Sequence, residues 1–163
     1  MPFPSEATSL SVLPILSVDF ETTGLNTMTD KLLSVGFVSI EKPQIKLGSC
    51  YYQIINTEHY LDADNVIIHQ ITDQQKSQGK SLRVVVEALL KALAWKVMLI
   101  HFARIEKQFL RRFCLELYGV SPPLMLLDTL VMTKRKLVRS AIATAEILLV
   151  QQKTGATKLK HLF

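Results

Sequence analysis

The sequence predicts an α/β fold: a mixed five-stranded sheet, first an antiparallel meander, then strand–helix–strand, with helices on both faces. Three observations carry that expectation. Three apolar segments, about 13–20, 32–40 and 45–55, are separated only by short polar or Pro-containing turns, which joins them as a meander. Two further apolar runs, Val97–His101 and Leu124–Asp128, are each preceded by a helical pattern. Alternation of strand and helix in the second half implies parallel pairing and helices packed on the sheet.

The elements follow in order. Residues 1–12 carry Pro2, Pro4 and several Ser and Thr, and read as a loose leader to a single domain over 13–163. Leu13–Phe20 is a buried strand that runs into Asp19-Phe20-Glu21-Thr22-Thr23-Gly24-Leu25, where Gly24 is free to take positive φ. Asn26–Lys31 is a loop. Residues 56–79 are irregular and polar and contain His59 and His69. Ser81 is a good N-cap for an amphipathic helix to about Trp95, with Leu82, Val85, Val86, Leu89 and Leu93 as its stripe. Gly119 ends a second helix over 103–118, and 129–163 reads as helical segments with a basic end holding His161.

Composition narrows the class. A chain of 163 residues, 48% hydrophobic and 20% charged, buries a sizeable core as one domain. The formal charge of +5 suits a polyanionic partner, and a solvated basic surface suits it equally well. Cys50 and Cys114 form neither a disulfide framework nor a Cys-x-x-Cys pair, and no apolar run spans a bilayer. The expectation is a cytoplasmic protein without membrane contact.

Two positions carry chemistry. Asp19 and Glu21 stand at i and i+2 of a strand, so both point to one face. A divalent cation offsets their repulsion; the alternative is two acids at the wet end of a strand. The second position is Glu106. Phe102, Ile105, Phe109, Leu110, Phe113 and Leu117 define an apolar helix face, and Glu106 falls in its middle. Arg104, Lys107, Gln108, Arg111 and Arg112 take the other side. A carboxylate there requires a partner, either a structural Lys or Arg or a metal shared with Asp19 and Glu21.

"SVDFETTGL" at 17–25 resembles the first motif of the DEDD 3′→5′ exonucleases, the family of the DNA polymerase III epsilon subunit. "LIHFARIEKQFL" at 99–110 resembles the second, with Phe102 in place of the usual Asn and Glu106 in place of the usual Asp; "LLDTL" at 126–130 and "AIATAEILLVQQ" at 141–152 also match. The resemblance implies an RNase H-like fold and two-metal phosphodiester hydrolysis with Mg²⁺ or Mn²⁺. It implies Asp19, Glu21 and Glu106 as metal ligands and catalytic residues, and Thr22, Thr23 and Leu25 as the pocket for the terminal nucleotide. The implied partners are single-stranded DNA or RNA 3′ ends and a DNA polymerase.

The third motif departs from the pattern. Its His falls on Arg135 and its Asp on Ser140, and the chain reads as shortened near 137–141. Impaired turnover is therefore expected, with a non-catalytic nucleic-acid or nucleotide-binding relative, or a non-functional remnant, as alternatives. Asp128 reads as an N-cap, and His69 and Glu146 as structural residues.

Overall fold

The computed structural model describes residues 9, 12–42, 44–56 and 73–134. The leader apart from Ser9 and Val12, and His59, His69, His161, Glu146, Arg135 and Ser140, lie outside the described residues.

The expected sheet is present, in the order β3-β2-β1-β4-β5. Its strands are β1 (Ile15–Thr22), β2 (Leu32–Glu41), β3 (Gln44–Ile54), β4 (Val97–Ile100) and β5 (Leu126–Asp128). The helices are α1 (Asp73–Ser77), α2 (Leu82–Leu93), α3 (Ala103–Tyr118) and α4 (Thr129–Lys134). β1 pairs antiparallel with β2 and parallel with β4, so the sheet changes character at its central strand. Among the described residues, no helix is long and apolar enough to cross a membrane.

Alternation assigns the strand side chains to two cores. Leu16 and Val18 of β1 join Val35, Phe37, Met98 and Ile100 under α2 and α3. Ile15 lies on the other face with Val38, Ile40, Val97 and Leu99, where Met132 of α4 packs. Asp19 and Glu21 share the parity of Ile15. Leu33 is the extra residue of a bulge: Glu21 pairs with Ser34, whereas Thr22 pairs with Leu32. The bulge lies just past the second acid and reverses the alternation of β2, which brings Leu32 into the core under the helices.

Local chemistry sets the helix ends. The stripe of α2 is buried as the periodicity requires, at Val85, Val86, Leu89 and Leu93. Ser81 occupies its N-cap with extended backbone but makes no side-chain capping bond. Gly119 closes α3 at φ 71°, donating its N–H to the Leu115 carbonyl, a conformation suited to glycine.

Candidate active site

Asp19 and Glu21 sit half-buried at the carboxyl end of β1, beyond the last pair with β4, Ser17 opposite Leu99. β1 is paired on both edges as far as Ser17, and at the acids themselves the ladder with β2 continues, Asp19 opposite Gly36 and Glu21 opposite Ser34. Glu106 lies in the first turn of α3 and is only 8% exposed, among Phe109, Leu110, Phe113 and Cys114. A helix N-terminus favours a negative charge there. The Oδ2 atom of Asp19 and the Oε2 atom of Glu106 are buried and accept no hydrogen bond. Hard carboxylate oxygens of this kind suit Mg²⁺ or Mn²⁺. Asp19 and Glu21 face one side of the sheet, whereas α3 packs on the other. Glu106 therefore comes to the strand ends from the opposite layer. Among the described residues, no three His, Cys, Asp or Glu side chains stand close enough together to hold a metal ion.

The segment after β1 is a closed loop. Thr23 and Lys31 pair at its neck: the Thr23 N–H donates to the Lys31 carbonyl at 2.9 Å, and the Lys31 N–H donates to Thr23 Oγ1 at 3.0 Å. Inside it, the Asn26 N–H donates to Asp30 Oδ2 at 2.7 Å, and the Thr22 hydroxyl donates to the Gly24 carbonyl at 2.7 Å. The hydroxyls of Thr22 and Thr23 thus shape the loop itself. Leu25 is 71% exposed at its tip. Gly24 differs from expectation. Its φ is not in the left-handed range; a Cβ there would lie 2.5 Å from Asp30 Oδ2, and that close approach is what favours glycine.

Two residues of α3 also depart from the helical wheel. Phe102 lies just outside the helix, at φ 64° and ψ 57°, and is 44% exposed rather than packed on the apolar face. The left-handed turn breaks the wheel one residue before α3 begins. Arg112, expected in solvent, has a side chain only 14% exposed. It donates from Nη1 to the Thr27 carbonyl at 2.6 Å and from Nη2 to the Asp30 carbonyl at 2.7 Å. Its guanidinium lies 4.6 Å from the ring centre of Phe113 and 5.4 Å from that of Phe109. Glu116 stands 3.4 Å from Nε, close enough for an ion pair but without hydrogen-bond geometry.

Asp128 does more than cap α4. Its Oδ1 accepts the Leu130 N–H at 2.9 Å, as an N-cap does. The same carboxylate also accepts from the N–H groups of Phe102 at 3.3 Å and Ala103 at 3.0 Å, which ties the start of α3 to the end of β5. His101, at the end of β4, has Nδ1 2.7 Å from Thr129 Oγ1.

The exonuclease family model matches residues 16–151, which includes both acidic positions and all of the strands but Ile15. The chain belongs to the DEDD-type exonuclease family. Among curated proteins it is similar to the PolC-type DNA polymerase III of Thermotoga petrophila and of Thermotoga maritima, each 25% identical over 144 residues. That match covers 88% of this chain and 10% of each relative, so the chain spans about a tenth of their length. Among solved structures it resembles E. coli Exonuclease I in complex with a dA16 oligonucleotide, with a TM-score of 0.65, 13% identity, and coverage of 75% of this chain and 29% of the other. The zinc-bound form of the E. coli Exonuclease I–ssDNA complex gives a TM-score of 0.64 at 14% identity, covering 75% and 29%. At these identities the structural likeness establishes the RNase H-like exonuclease fold. Family membership makes the chain a nuclease-family domain.

Proposed function

We propose that this chain is a metal-dependent 3′→5′ exonuclease domain acting on single-stranded nucleic acid, with slow turnover of its own. The observation that carries this reading is the shared face of Asp19 and Glu21 at the carboxyl end of the central strand, inside the family match. In the proposed site Asp19, Glu21 and Glu106 hold Mg²⁺ or Mn²⁺. When bound, such an ion would supply Lewis-acid chemistry for phosphodiester hydrolysis, and these three carboxylates would be the groups that hold it. The loop from Thr22 to Leu25 receives the terminal nucleotide. Single-stranded DNA bound by Exonuclease I and the polymerase context of the PolC-type relatives support a nucleic-acid 3′ end as substrate, and a polymerase as partner.

Slow turnover follows from the sequence at the third motif. Arg135 cannot accept a proton at neutral pH, and Ser140 is a weaker metal ligand than a carboxylate. General-base catalysis alone contributes about 10²–10⁴-fold. Titration calorimetry with Mn²⁺ tests the site: binding is expected in the native chain and lost in Asp19→Asn. An isotherm unchanged by Asp19→Asn would refute the assignment. Purified chain incubated with 3′-labelled DNA and RNA oligonucleotides should degrade them far more slowly than an intact family member does.

A further inference from the structure

Arg112 has no place in the chemistry described above, yet it is the most heavily engaged cation among the described residues. Both of its Nη atoms donate to main-chain carbonyls of the loop that follows Asp19 and Glu21. Those acceptors lie 85 and 82 positions away in the sequence. A second clasp lies one turn earlier, where the Thr27 hydroxyl donates to Gln108 Oε1 at 3.0 Å. The guanidinium is itself held, lying against the Phe109 and Phe113 rings, which stack on each other at 5.8 Å, and faced by Glu116. Phe109 and Phe113 belong to the buried core under α2 and α3, so the clamp is anchored in packed side chains.

We infer that Arg112 is a positioning residue for the pocket of the 3′-terminal nucleotide: it fixes the Thr23–Lys31 loop against α3 in advance of binding. The inference rests on the proposed function for the identity of the ligand. Fixing the loop before the ligand arrives removes an ordering cost from binding. Charge-assisted bonds to two carbonyls hold a planar fork in one geometry, which a lysine cannot reproduce. Arg112 therefore governs nucleotide affinity and leaves the metal ligands on β1 untouched, because Asp19 and Glu21 are held by the ladder with β2.

The test compares native chain, Arg112→Gln and Arg112→Lys, with Leu89→Ala as a core truncation in α2, away from the loop. Three quantities are read: Mn²⁺ binding by calorimetry, amide exchange of Thr23 and Asn26–Lys31, and anisotropy of a short 5′-fluorescein oligothymidylate in Ca²⁺. Both Arg112 variants should lose loop protection and bind the oligonucleotide about tenfold or more weakly, with Mn²⁺ binding intact. Leu89→Ala should melt earlier and keep both loop protection and affinity. Should Arg112→Gln fail to fold, Arg112→Lys, which retains the charge beside the aromatic rings, decides alone. Loop protection and affinity unchanged in a folded Arg112 variant would overturn the inference. Native chain that binds no oligonucleotide would overturn the proposed function and the ligand assigned to the clamp. Loop exchange would then show separately whether Arg112 holds the loop.

Discussion

Gly24→Ala offers a sharp test of the loop described above, because its effect should change sign with one other residue. The new Cβ would stand 2.5 Å from Asp30 Oδ2, so the carboxylate must retreat by about 0.9 Å to reach the 3.4 Å of ordinary contact. That oxygen accepts the Asn26 N–H at 2.7 Å, and a retreat of this size breaks the bond. Loss of a carboxylate-accepted bond near the surface, with the associated strain, costs about 1.5 kcal/mol. Against it, replacing glycine at a φ that alanine can adopt restrains the unfolded chain and stabilises by about 0.5 kcal/mol. The net expectation is a loss of about 1 kcal/mol, a fall in melting temperature of about 2–4 °C. In an Asp30→Ala background the clash is gone, and the same Gly24→Ala change should stabilise. Urea unfolding of the two single variants and the double variant, compared at constant m-value, measures the coupling, expected near 1.5 kcal/mol. Additive effects would refute the claim that glycine is there for the carboxylate.

Phe102 carries a bulky side chain in the left-handed region, so Phe102→Asn should raise stability by about 1 kcal/mol in the same urea measurement. The Cys114 thiol is pushed up by burial, which favours the protonated form in the folded state. That preference is complete below the ordinary thiol range and is lost as pH rises through the raised value, so stability falls on the alkaline side. At mildly alkaline pH, Cys50 should react with a thiol reagent well before Cys114, as mass spectrometry of the labelled chain would show.

The parts legible in the sequence were those written as periodicity or as a conflict with it. Period-two runs and turn residues located every strand within two residues, and Glu106 stood out because a carboxylate interrupts an apolar stripe. The segment 126–128 similarly marked Asp128 as a cap. Arg112 was not legible, for two reasons. Its acceptors are main-chain carbonyls, which every residue possesses, so no pattern of side chains announces them. A wheel also assigns each residue one side, whereas a long arginine at the border can lie back over aromatic rings and reach across. Phe102 was misread because the wheel was carried one residue past the helix start, where the backbone is left-handed. Gly24 was assigned a turn conformation from its neighbours, but the pressure for glycine comes from Asp30, six positions on. The second bonds of Asp128, to Phe102 and Ala103, join segments about 25 positions apart and depend on β4 lying beside β5.

The register of β1 has a consequence for how the acids may be altered. Because side chains alternate, slipping β1 by one residue would turn Asp19 and Glu21 toward Leu16's core and bring Phe20 out to their face. Each carboxylate moved into that apolar cluster would cost several kcal/mol. The acids therefore act as a frame marker, penalising every pairing of the strand that is slipped by an odd number of residues. An apolar substitution at either position weakens that penalty along with the ligand site. Asparagine and glutamine keep the marker, since their amides also resist burial, and they separate loss of the ligand from loss of the frame.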